Sequence, residues 1–256
     1  MYNDWFTIGP LTIHGYGVMI AVGILMAFFV GERMAKKTGM DPNHVDTLII
    51  VCLLTGYLGS KITYVFTVWD QFLANPKAVL GADGWVVYGG ILGGILGAWI
   101  YCRIKKISFF HYANLLFPSV ALAQGFGRIG CFFARCCYGK ETHGALGITF
   151  THSDYAPNNV KLIPTQLISS AGDFILFYIL YKIYMDESTR DETMGWYLLL
   201  YSAGRFVIEF LRGDSARGFI GALSTSQFIG LFLIAAGIIV LIQVKKNGKA
   251  KKEAVL

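Results

Sequence analysis

The chain has 256 residues, 55% of them hydrophobic and only 15% charged, with a mean hydropathy of +0.53. These values exclude an ordinary soluble domain and point to a polytopic membrane protein whose length suits one compact membrane domain. The net charge of +6 is not a nucleic-acid signal, because five lysines fall in the terminal stretch VKKNGKAKKEAVL beside an apolar run, the placement of an anchor against anionic headgroups.

The opening MYNDWFTIGP lacks the basic stretch, short apolar core and small-residue cleavage site of a secretory leader, so none is expected to be removed. In chain order, about seven segments reach the roughly 20 residues needed to cross a hydrocarbon core. They lie near 14–31, 45–68, 85–102, 109–130, 165–185, 195–211 and 224–244. The fourth is interrupted by Asn114, Pro118, Gln124 and Gly125, which a buried helix tolerates when neighbours satisfy the freed groups. Most connections are short. The exception is 131–164, rich in Gly, His, Asn and Pro, and connections of that length are often functional.

Of the 22 Lys and Arg residues, 13 fall on one side of these spans: Arg33, Lys36, Lys37, Arg103, Lys105, Lys106, Lys182, Arg190 and the five tail lysines. Six fall on the other side (Lys77, Arg135, Lys140, Lys161, Arg212 and Arg217), and Lys61, Arg128 and Arg205 are intramembrane. The excess of cations marks the cytoplasmic face. The sequence thus predicts an all-α polytopic membrane protein with about seven transmembrane helices, its N-terminus outside and its C-terminus cytoplasmic. Residues 1–244 form a single transmembrane domain with an extracytoplasmic connection at 131–164, and 245–256 form a basic cytoplasmic tail.

The sixth span carries Tyr201, Arg205, Glu209 and Arg212 at i, i+4, i+8 and i+11, a spacing that keeps them on one side of a helix. A charge within a membrane costs roughly 2.5–3.5 kcal/mol even on the lenient insertion scale, so such residues normally face a protein interior or a polar cavity. At 1.5 Å per helical residue, Tyr16, Lys61, Tyr88, Arg128 and Arg205 all fall in the outer half of the membrane, near the level of an outer-leaflet headgroup. Arginine suits bidentate contact with phosphate. Structural readings stand beside this one. Arg205 and Glu209 neutralise each other as an i, i+4 pair, Arg128 snorkels to the interface, and Tyr16 and Tyr88 are aromatic-belt residues.

The third span contains GGILGGILG, a spacing of small residues that permits close helix–helix approach. Cys52 and Cys102 lie in apolar surroundings and read as packing residues. Cys131, Cys136 and Cys137 cluster in GRIGCFFARCCYG. Three readings stay open for them: a disulfide from Cys131 to Cys136 or Cys137, thiol or redox chemistry beside Arg128 and Arg135, and metal binding. The spacing CxxxxCC is not a usual zinc pattern, and the histidines at 14, 44, 111, 143 and 152 form no ligand set, so no metal and no cofactor are expected.

Six segments carry a resemblance: IGPLTIHGYGVMIAVGILMA at 8–27, GSKITYV at 59–65, GWVVYGGILGG at 84–94, GRIGCFFARCCYG at 127–139, IPTQL at 163–167 and YSAGRFVIEFLRGD at 201–214. Over nearly its whole length the chain resembles the bacterial phosphatidylglycerol–prolipoprotein diacylglyceryl transferases, multi-pass proteins of the inner (cytoplasmic) membrane. The resemblance implies transfer of diacylglycerol from phosphatidylglycerol to the lipobox cysteine of a preprolipoprotein, forming a thioether as glycerol phosphate leaves. It implies that Arg128 and Arg205 hold the phosphate, that Tyr16 and Tyr201 orient the lipid, that Glu209 positions Arg205 in a segment shared with Arg212, and that Gly139 lines the loop entrance. It also implies the partners: lipid, preprolipoprotein segment and bilayer, with no nucleic acid.

The chain departs from the family pattern at five positions. Tyr88 replaces a histidine that could take a proton near neutral pH, and phenols are poorer bases than imidazoles there. Cys131 replaces an asparagine, Cys136 an acidic residue, Lys61 an arginine and Ile163 a histidine. The pattern fits a cysteine-rich branch running the same reaction differently. It also fits a paralogue whose outer cysteines do thiol or redox chemistry, or a non-catalytic lipid-binding or transport protein.

Overall fold

The computed structural model describes residues 3–9, 11–81, 84–214 and 218–253. A short hairpin, β1 (Asp4–Ile8) with β2 (Leu11–His14), leads into α1 (Gly15–Thr38). There follow α2 (Pro42–Thr67), the short α3 (Trp69–Ala74) and α4 (Pro76–Gly81), α5 (Val87–Lys105) and α6 (Phe109–Phe133). The antiparallel pair β3 (Ile148–Thr149) and β4 (Lys161–Leu162) precedes α7 (Thr165–Met185). After a 3-10 turn at Arg190–Glu192 come α8 (Thr193–Glu209), the pair β5 (Phe219–Ile220) and β6 (Leu223–Ser224), and α9 (Thr225–Glu253).

The helical, membrane-spanning character expected from composition is what the structure has. Among the described residues six helices are long and apolar enough to cross a membrane: α1, α2, α5, α6, α7 and α9 up to Asn247. The segment read as a seventh span is α8, which has 17 residues and ends at Glu209 rather than at 211. Other details differ as well. The long connection starts after Phe133 rather than at 131 and contains β3 and β4. The segment 69–84 holds two short helices. The basic tail is a helical continuation of α9 to Glu253, while residues 254–256 and Arg217 lie outside the described residues.

The chain packs as two compact units. One comprises residues 31–112. Here Asp41 caps α2, its side chain accepting the Asn43 amide at 2.9 Å, and Pro42 takes the first turn, where no amide donor is needed. The glycine stripe of α5 lies directly on α2. A Cβ on Gly93 would come within 2.5 Å of the Thr55 carbonyl oxygen, and one on Gly59 within 3.1 Å of the Gly93 Cα. In lipid, where apolar burial supplies no drive between helices, this backbone approach is what joins them.

The other unit comprises residues 1–30 and 113–256. The polar residues that seemed to interrupt α6 are interhelical ties in one continuous helix. Asn114 Oδ1 accepts the Met194 amide at 2.7 Å, Gln124 Oε1 accepts the Tyr197 hydroxyl at 3.0 Å, and the Gly125 carbonyl accepts the Ser170 hydroxyl at 2.9 Å. Around them Ala121, Leu176, Leu180 and Tyr197 form an apolar core. Between α7 and α8, the Ser188 hydroxyl and amide both donate to Asp186, holding its carboxyl below the usual range. Ser224 and Gln227 form a reciprocal capping box that fixes the start of α9. The Ser224 amide donates to Gln227 Oε1 at 3.1 Å, and the Gln227 amide to Ser224 Oγ at 3.2 Å.

Candidate active site

The charged residues of α8 are buried, and their pairing is specific. Glu209 is only 3% exposed and forms an ion pair with Arg205 one turn earlier. Arg212 reaches the same carboxylate oxygen at 3.9 Å. The α-helix ends at Glu209, and i→i+3 turns carry the chain on to Arg212, whose amide donates to the Glu209 carbonyl at 3.3 Å. Arg212 sits at the end of the turn that follows, bridged to Gly139, and grips Asp214 with two guanidinium nitrogens, Nε at 2.8 Å from Oδ1. Arg205 also donates to Ser226 Oγ at 3.2 Å, a residue placed by the α9 capping box.

Arg128 comes from α6, five residues before its end. It falls within electrostatic range of Tyr201, Cys131, Cys137 and Asp173, and Arg205 lies within range of Arg128, Arg212 and Tyr201. Both arginines act on Asp173, a carboxylate of α7 that is 7% exposed. Arg128, Asp173, Tyr201, Arg205, Glu209 and Arg212 thus form one cluster, contributed by three helices and the segment after α8. Among the described residues none accepts a hydrogen bond from Arg128 or forms an ion pair with it. Five N–H donors in one plane are therefore left for an external acceptor. The Tyr201 ring stacks on Tyr197, with centroids 5.4 Å apart and planes 3° from parallel.

The turn after α6 builds the cysteine cluster. Arg135 and Cys137 both adopt left-handed backbone, at φ 59° and 57°, a conformation that non-glycine residues rarely hold without support. The support is visible. The Arg135 guanidinium is bonded to the His152 carbonyl. Thr165 Oγ1 donates to the Cys137 carbonyl at 2.8 Å, and Gln166 Nε2 to the Cys136 carbonyl at 2.7 Å, so the start of α7 clamps the turn. The result brings the Cys131, Cys136 and Cys137 sulfurs within 4.8 Å of one another as free thiols, all partly exposed. Thiol donation from Cys131 and Cys136, with the charges of Arg212 and Arg128, holds the Cys137 thiol well below its ordinary range. Thiol contacts from both neighbours push Cys136 up. Tyr16 borders this cluster from α1 and packs on Gly130, whose missing side chain makes the space: a Cβ there would meet Tyr16 Cδ2 at 3.1 Å.

Gly139 has a backbone role. Its amide donates to the Ile163 carbonyl at 3.0 Å, and the neighbouring Lys140 amide donates to Leu211 at 2.8 Å. A Cβ on Gly139 would fall 2.5 Å from the Ile163 oxygen. The segment 138–140 therefore joins the cysteine turn to Arg212. Lys61 and Tyr88 belong to the other compact unit. There the Lys61 ammonium lies over the Trp85 ring, 4.7 Å from its centroid, and Tyr88 is the second residue of α5, with 42% of its surface exposed.

One residue of the cluster, Asp173, and two that hold its arginines, Ser226 and Asp214, were not named as site candidates from the sequence. Asp173 was available in the sequence, since it is an ionisable residue in an apolar run and is expensive there unless it has a purpose.

The family model described as prolipoprotein diacylglyceryl transferase matches residues 3–243. The chain belongs to this family. Among similar diacylglyceryl transferases, the phosphatidylglycerol–prolipoprotein diacylglyceryl transferase of Clostridium tetani is 44% identical over 237 residues, covering 92% of this chain and 94% of the relative. The transferase 2 of Clostridium perfringens is 40% identical, covering 90% of each. That of Staphylococcus haemolyticus is 32% identical, covering 97% and 91%. The likeness therefore spans both compact units of this diacylglyceryl transferase family member.

Proposed function

We propose that this protein transfers the diacylglyceryl group of phosphatidylglycerol to the cysteine thiol of a prolipoprotein lipobox in the bacterial inner membrane, with its N-terminus outside. The observation that carries the site assignment is Arg128, a guanidinium in a cluster of buried charge with no acceptor among the described residues. An arriving phosphodiester takes its N–H donors without breaking an existing ion pair. Arg205, fixed by Glu209 and Ser226, supplies a second cation whose position is already set.

The chemistry follows from charge. As the thiol sulfur bonds to the glycerol carbon, the carbon–oxygen bond to phosphate breaks and its electron pair departs with glycerol phosphate. The phosphate gains negative charge in that step. Donors fixed where charge grows are worth roughly 3 kcal/mol each in a dry site. Tyr201, within electrostatic range of both arginines, and Tyr16, beside the cysteines, orient the lipid. Asp173 offsets the repulsion between Arg128 and Arg205 before lipid binds.

The test is a proteoliposome assay with labelled phosphatidylglycerol and a lipobox peptide. The peptide gains the mass of one diacylglyceryl group with the wild-type protein and not with Arg128→Ala or Arg205→Ala. Correctly inserted wild-type protein that leaves the peptide unmodified, or that only oxidises it, sinks the reading. Anionic lipid bound without turnover would point to the non-catalytic alternative.

A further inference from the structure

We infer that Cys131, Cys136 and Cys137 form a three-thiolate zinc site whose open fourth position takes the substrate cysteine. The inference rests on the transferase reading above. The spacing CxxxxCC argued against metal binding, because zinc ligands usually come in short, regular pairs. The folded turn removes that objection. Two left-handed residues reverse the chain after α6 and bring all three sulfurs within 4.8 Å of one another. A tetrahedral site with zinc–sulfur bonds of about 2.3 Å spaces its sulfurs about 3.8 Å apart, so small side-chain rotations close the set. The turn itself need not move, because Thr165 and Gln166 hold its carbonyls.

Three features separate this cluster from a closed structural site. First, among the described residues no fourth Cys, His, Asp or Glu joins the three sulfurs. Three protein ligands with an open position is the arrangement of catalytic zinc. Second, all three cysteines are partly exposed, so an outside ligand can reach them. Third, a zinc ion bound to three thiolates carries net negative charge, and Arg128 and Arg212 stand within electrostatic range of Cys137. Arg128 is also the proposed phosphate ligand, so the fourth position and the leaving group share one neighbourhood.

The reaction balances. The substrate thiol binds the fourth position and releases its proton to water, since a coordinated thiol is deprotonated outright. Its sulfur lone pair forms the carbon–sulfur bond to the glycerol carbon while the carbon–oxygen bond breaks. That electron pair leaves on glycerol phosphate, held by Arg128 and Arg205. The thioether formed is neutral and a poor zinc ligand, so the product dissociates. The scheme supplies a thiolate at neutral pH where Tyr88 replaces the family's histidine.

The test uses the full-length protein in nanodiscs. Elemental mass spectrometry is expected to find one zinc ion per chain, retained in Cys52→Ser and Cys102→Ser and lost in Cys131→Ser, Cys136→Ser and Cys137→Ser. With cobalt in place of zinc, thiolate charge-transfer bands appear. A lipobox peptide bearing cysteine shifts the d–d bands, and the same peptide bearing serine does not. Chelation of the wild-type protein, which involves no substitution, is expected to lower transfer by about 100-fold or more, with zinc restoring it. Chelated, zinc-free protein that transfers lipid at the original rate overturns the inference and leaves the transferase reading intact. Folded wild-type protein that takes up neither zinc nor cobalt overturns it as well. Zinc uptake and the peptide-dependent shift without any lipid transfer support the metal site and count against the transferase reading.

Discussion

Arg128 and Arg205 carry the same charge and are held in opposite ways, and their variants should separate accordingly. Arg205 is part of a buried ion pair, and removing one partner of such a pair strands the other. Glu209→Ala leaves Arg205 and Arg212 without their shared carboxylate and is expected to destabilise the protein by about 3–5 kcal/mol, read as a lower Tm in detergent. Arg128 has no acceptor among the described residues, so Arg128→Ala should leave Tm nearly unchanged or raise it while transfer falls by about 100-fold or more. Arg128→Lys keeps the charge and loses the bidentate fork, and transfer should stay close to the alanine level. A second expectation concerns Asp173. Its carboxylate lies within electrostatic range of both arginines, so in the proposed reaction an incoming phosphate would compete with it for them. Asp173→Asn should lower KM for phosphatidylglycerol several-fold, on the order of 1 kcal/mol of binding, while sparing kcat more than Arg128→Ala does.

At the level of elements, the site depends on joints between segments. The 138–140 segment lies between Ile163 and residues 211–213 with no room for a methyl group at Gly139. Gly139→Ala must push the cysteine turn away from either α7 or Arg212, so activity should drop and stability should fall by about 1–3 kcal/mol, the range typical of overpacking, read as a lower Tm. The capping box at the start of α9 gives a milder case. Ser224→Ala removes a cap worth about 1 kcal/mol, and because the cap sets the register of Ser226 against Arg205, kcat should fall along with Tm. The sequence signalled these joints unevenly. Asn114, Gln124 and Gly125 looked like breaks in α6 because a one-dimensional reading counts polarity and cannot see a partner helix. In the fold they bond or admit Met194, Tyr197 and Phe174. Arg212 looked like the last member of a helical stripe. Its pairing with Glu209 holds although α8 stops before it, because tight i→i+3 turns carry the chain on through Arg212, whose amide donates to the Glu209 carbonyl at 3.3 Å.

For the whole molecule, the asymmetry of lysine and arginine sets the expected orientation, and labelling in intact cells checks it. A cysteine introduced at His143, in the connection after α6, should react with a membrane-impermeant maleimide, whereas one at Lys105, at the end of α5, should react only after permeabilisation. The reverse pattern would invert the topology and put the cysteine turn on the cytoplasmic side. Composition and hydropathy were enough to determine that this chain is a helical membrane protein, because lipid leaves the backbone few other ways to satisfy its polar groups. The spacing of Arg205 and Glu209 was enough to pair them, because i, i+4 contact is local to one helix. Tertiary structure alone decided that Asp173 comes within electrostatic range of arginines from two other helices. It alone also gathered the three cysteine sulfurs, which depend on a left-handed turn clamped by side chains of α7, as the Asp173 arrangement depends on three helices distant in sequence, and no local periodicity encodes either.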